Sequence, residues 1–60
     1  MSLDVKKWVD IFEAAGIDEA ARHRWHHEFE HRAPDDHQAF LEWLGMAPGD
    51  IQRVRGRSRA

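Results

Sequence analysis

Sixty residues, 42% of them apolar and 33% charged, with three Trp, three Phe and a formal net charge of −2, describe one folded domain. A disordered chain carries fewer apolar residues, and a chain this short has no room for a second core. With no Cys there are no disulfides or thiolate metal sites, no apolar run approaches the roughly 20 residues of a membrane span, and the first residues lack the basic-then-apolar order of a signal peptide, so a cytoplasmic location is expected.

The first element is an expected helix over 4–15, where Val5, Trp8, Val9, Phe12 and Ala15 recur at steps of three and four and Ile11 widens the stripe. Ser2 or Asp4 can cap its start, and Gly16 followed by Ile17 reads as a left-handed stop with an apolar residue behind it. Asp18 caps a second helix over 18–32, whose narrow apolar line is Ala21, Trp25 and Phe29. Pro34 ends that helix and suits the first turn of a third, over 34–44, with Asp35 and Asp36 at its positive end and Phe40, Trp43 and Leu44 as anchors. Gly45 and Met46 repeat the first stop, so Phe12–Ile17 and Leu41–Met46 share one capping pattern. Pro48 and Asp50 open a fourth helix over 48–57, carrying Ile51 and Val54 and expected to fray through 56–60. No strict alternation marks a strand. The expected fold is an all-α mini-bundle of four short helices forming one domain over 1–60.

Charge is uneven. Arg53, Arg55, Arg57 and Arg59 crowd the last ten residues, which hold no acid. Four arginines on a chain of net charge −2 make a weak nucleic-acid footprint. The favoured reading is a solvated helix end whose cations suit the dipole, with docking on the acidic surface of a second copy as an alternative.

Chemistry concentrates in His23, His26, His27, His31 and His37. Residues 27–31 spell H-E-x-x-H, in which two histidines one turn apart hold zinc and the glutamate acts as general base. His37 stands six residues beyond His31, a spacing that resembles the longer metzincin motif with its third histidine, except that Pro34 occupies the glycine position. Such a match arises by chance in roughly 3% of chains of this composition. At about 100° per residue, His23, His27 and His31 face away from Trp25, which leaves no cleft wall for a protease. The stripe reads instead as polar surface, able at most to hold Zn²⁺ or Ni²⁺ through His27, His31 and His37, with His23 or His26 as further candidates. Ser2 and Ser58 are the only hydroxyl residues, and Thr, Tyr and Cys are absent, so a nucleophile triad has no good member.

Arg24-Trp25-His26, Glu28-Phe29-Glu30, Arg32-Ala33-Pro34, the run His37 to Gly45, and Ile51 to Arg55 together resemble a small helical segment that forms C-terminal extensions of MerR-type transcription regulators. The resemblance implies a bacterial accessory or sensing module, not an enzyme. The position of His27 is not bound to be histidine there, and the regulators' winged-helix part has no counterpart in this chain, so DNA binding does not carry over.

The sequence therefore reads as a non-enzymatic helical interaction module. Such a chain gains stability by self-association, and a homodimer through Trp8, Ile11, Trp43, Ile51 or Val54 is expected, with no cofactor required. The alternative is a histidine-cluster metal protein. A third reading makes 34–44 and 48–57 a helix-turn-helix with a basic second helix, although Gln52 is its sole amide for base reading. Acid pH should weaken the fold or its assembly, because protonating five histidines moves the charge from −2 to about +3.

Overall fold

In a computed structural model that describes residues 3–60, the chain folds into four helices: α1 Val5–Ala14, α2 Glu19–Arg32, α3 Pro34–Trp43 and α4 Pro48–Arg59. Ser2, one of the two cap candidates, lies outside the described residues. Asp4 takes that role, its carboxylate accepting from the Lys7 N–H at 2.9 Å, and Asp18 does the same for Ala21 at 2.9 Å. Each cap satisfies one N–H that the first helical turn leaves without a partner. Among the described residues no helix is long and apolar enough to cross a membrane.

Both glycine stops form. Gly16 and Gly45 sit at φ +85° and +82°. Behind them Ile17 N–H reaches the Phe12 carbonyl at 2.8 Å and Met46 N–H the Leu41 carbonyl at 3.3 Å. With Gly16 bonded to Glu13 and Gly45 to Glu42, each end is a Schellman motif that turns the chain sharply; Met46 returns to the core and Ile17 is half-buried.

The fully buried aliphatic core is small: Leu41, Leu44 and Ile51, ringed by Leu3, Trp8, Phe40, Met46 and Val54. Beside it lies an aromatic layer in which Trp8, Phe12, Trp25, Phe29 and Phe40 meet in pairs with ring centroids 4.4–5.8 Å apart. Helices α2, α3 and α4 pack closely on one another, whereas α1 reaches them mainly through those rings. The radius of gyration is 11.2 Å, against about 10.4 Å for a closely packed chain of this length.

One sequence expectation changes and one boundary moves. Helix α4 runs to Arg59, two residues beyond the expected end, with Ser58 buried and Arg55 and Arg59 each reaching Glu30. Of the five residues expected to form a dimer face, Ile51 is in the core, and Trp8 and Val54 pack against it. Only Ile11 and Trp43 stay exposed, at 57% each.

Candidate functional site

Alongside Leu41 and Leu44, α3 turns a third residue inward. His37 lies one turn before Leu41 on the same stripe and has no solvent exposure. On α4, Ile51 is followed at the same spacing by Arg55 and then Ser58, and α2 adds His26 and Glu30. The three stripes meet in a buried polar hub.

Glu30, 6% exposed, is its centre. Arg55 clamps the carboxylate with both ends of its fork, Nε to Oε1 and Nη2 to Oε2 at 3.0 Å each, and its Nη1 reaches Gln38 Oε1 at 2.9 Å. Arg59 adds a longer contact to Oε2 at 3.4 Å. A carboxylate only accepts, so His37 donates its Nδ1–H to Glu30 Oε1 at 2.7 Å. On a neutral His37 ring Nε2 is then the acceptor, and His26 donates its Nδ1–H across 3.0 Å. No buried side-chain nitrogen or oxygen is left without a partner among the described residues, the condition under which such a network stabilises rather than strains a core.

The electrostatics follow from these contacts. The Arg55 hydrogen bonds hold the Glu30 carboxyl down to about 2, against the opposing effect of burial, and the His37 bond adds to the depression. Glu30 in turn holds Arg55 above its ordinary value. His26 is pushed down to about 4, first by burial and then by the charges of His37, Arg22 and His23. A ring so hard to protonate is a poor proton acceptor at neutral pH, although Glu30, His37 and His26 are strung together like an acid–base relay. Among the described residues no nucleophile stands at the end of that chain: the Ser58 hydroxyl donates to the Val54 carbonyl of its own helix at 2.6 Å.

The histidines singled out from the sequence therefore divide. His27 and His31 lie side by side with tilted rings, centroids 4.3 Å apart. His37 does not join them: it is sealed inside, with Glu30 on one ring nitrogen and His26 on the other. Among the described residues no group of three His, Asp or Glu converges on a metal-sized point. Glu28, the general base of the H-E-x-x-H reading, is instead held by Arg32 at 3.1–3.2 Å. On this side of α2 His23 and His31 are exposed, as the sequence suggested, whereas His27 is half-buried against α4 and its Nδ1–H donates to the Ser58 carbonyl at 2.9 Å.

The arginines divide as well. Arg55 and Arg59 meet Glu30 of their own chain, and Arg53 pairs with Asp50. Three of the four α4 arginines thus share two carboxylates of their own chain, while Arg53 and Arg59 stay exposed. Arg57 has no carboxylate partner among the described residues, and neither has the half-buried Arg22. Both line a cleft of about 650 Å³ in the space left by α1, floored by Trp8, Val9, Leu44, Met46 and Val54 and edged by Glu19, His23 and His26. A shallower groove of about 450 Å³ runs past Arg24, Trp25 and Phe29.

Sequence reasoning missed the hub. Its signal was present: His37 shares the spacing of Leu41 and Leu44, and Arg55 that of Ile51. Compared with protein-family models, curated proteins and solved structures, the chain matches none.

Proposed function

We propose that this chain is a non-enzymatic helical interaction module, acting in the cytoplasm as an accessory unit and associating with a second copy of itself. The resemblance to regulator extensions supports an accessory role. The observation that carries the reading is the exposure of the two large apolar side chains farthest out, Ile11 on α1 and Trp43 on α3, at 57% each. They stand one turn beyond Trp8 and Phe40, whose rings meet at 5.6 Å, so the interface continues the aromatic layer outward. The residues with chemical capacity are turned inward: Glu30, His37, Arg55 and Ser58 serve the fold. Mass measurement across a dilution series should give a dimer, and Trp43→Glu or Ile11→Glu a folded monomer. A wild-type monomer at every concentration overturns the reading.

A second reading rests on one contact. Because the Ser58 carbonyl accepts from His27 Nδ1–H, a neutral His27 presents Nε2 as its free acceptor, beside His31. An N–H anchored to a backbone carbonyl is the orientation that metal-binding imidazoles use. Zn²⁺ or Ni²⁺ would take this pair as a two-point ligand, with further donors from a second copy. Zinc should then raise the melting temperature of the wild type but not of the His27→Ala/His31→Ala variant; an equal response in both removes this reading.

A further inference from the structure

We propose that the cleft between α1 and α4 is a binding site for a small amphipathic carboxylate, a free acid with an apolar tail. The site is separate from the face proposed for self-association and does not rest on it. A volume of about 650 Å³ falls within the range of small-ligand sites, which are apolar inside with a few placed polar groups. Trp8, Val9, Met46 and Val54 supply the apolar floor.

The sign of the head group follows from the charges around it. Arg32, Arg53, Arg55 and Arg59 each have a carboxylate partner, whereas Arg22 and Arg57, one from each of two packed helices, line the cleft with none among the described residues. Against these two cations stands one acid, Glu19; the remaining titratable groups on the wall are His23 and His26. His26 is held below its ordinary value first by burial and by His37, with Arg22 on the same wall adding to the depression. A guanidinium in such a setting binds a carboxylate through two parallel N–H bonds, while the tail covers apolar surface that water now touches.

The test uses the full chain with three eight-carbon probes, octanoate, octan-1-ol and octylammonium, followed by two-dimensional amide NMR and calorimetry below any micelle threshold. Octanoate should saturate, moving the amides of Val9, His23 and Met46, and should bind at least about ten-fold more tightly than the alcohol or the amine. Arg22→Gln/Arg57→Gln should weaken octanoate by at least about ten-fold and leave octanol unchanged. Arg24→Gln, which removes one positive charge outside the cleft and so matches Arg57→Gln alone, should change nothing. Arg57→Gln alone, near the exposed end of α4, serves if the double variant does not fold. Equal binding of acid and alcohol, equal loss in the Arg24 and Arg22/Arg57 variants, shifts confined to the Arg24–Phe29 groove, or ligand-driven dimerisation through the cleft each overturn the proposal.

Discussion

Replacing Glu30 by alanine strips the hub of its only carboxylate and leaves Arg55, whose side chain is 16% exposed, as an unpaired cation within the fold. Breaking a buried pair from one side costs about 3–5 kcal/mol, because the stranded charge keeps its desolvation penalty. The titration of Glu30 gives a second route to the magnitude. Its pKa falls from 4.5 to about 2, and at about 1.4 kcal/mol per unit this corresponds to about 3 kcal/mol favouring the ionised form in the fold. A domain of this size has a total stability of roughly 3–9 kcal/mol, so Glu30→Ala should lower the melting temperature by about 20 °C or abolish folding. Urea unfolding followed by tryptophan fluorescence reads the effect. A double-mutant cycle with Arg55→Ala should return a coupling of at least about 2 kcal/mol, because the second mutation removes the stranded charge. Should Glu30→Ala fail to fold, Glu30→Gln keeps one acceptor oxygen for His37 and Arg55 Nε but turns an NH2 group towards Arg55 Nη2 and loses the charge, and is expected to cost about 1–3 kcal/mol. If each single variant costs under about 1 kcal/mol and the two add, the pair behaves as an exposed ion pair does, and the account of the hub is refuted.

Acid should weaken the fold in two windows. His26, with a folded pKa below its unfolded one, stays neutral in the fold while the unfolded ring takes a proton, so stability falls as the pH drops from 6.5 towards 4. The loss at pH 5 is about 1–2 kcal/mol, which melting curves at pH 7.5 and 5 should show in the wild type and not in His26→Leu. Glu30 adds a second loss between pH 4.5 and 2, absent in Glu30→Gln. Gly45→Ala meets nothing within 4 Å yet sits at φ +82°, so it should cost about 1–2 kcal/mol in urea titration from backbone strain alone. Gly56→Ala, inside α4 and equally unobstructed, should instead gain up to about 1 kcal/mol in the same assay.

The element boundaries were legible because they rest on local physics: a carboxylate at Asp4 and Asp18, a proline at 34 and 48, a glycine at 16 and 45. The inside and outside of α2 were not. Counting polar residues as outward works where one face meets an apolar core, but α2 carries Trp25 and Phe29 on one side and His26 and Glu30 on another, and both are packed. The partner that makes burying Glu30 tolerable, Arg55, lies 25 residues away on a helix whose end read as solvated. The same non-local pairing hid His37: its spacing to His31 spelled a metal motif, while its spacing to Leu41 and Leu44 placed it in the core. Packing decided between the two periodicities, and no rule confined to a short window could have.

The order of residues along α3 and α4 shows what the hub adds to so small a core. Near the turn the two helices face each other with Leu44, Met46 and Ile51, one turn on with Leu41, and farther out with Gln38 against Arg55 and with His37 and Arg55 both on Glu30. Apolar contact lies next to the turn and charged contact at the open end. A core of three aliphatic side chains discriminates weakly between neighbouring registers, because apolar contact is not directional. Sliding α4 by one turn, about 5.4 Å, would still offer Glu30 an arginine, since Arg59 follows Arg55 by four residues, but it would press Arg55 against Leu41 and Leu44 where Ile51 belongs. An unpaired guanidinium there costs several kcal/mol, a large share of the stability of a chain this short. The succession Ile51, Arg55, Ser58 therefore admits one docking of α4, and that docking positions Val54 and Arg57 on the cleft wall opposite α1.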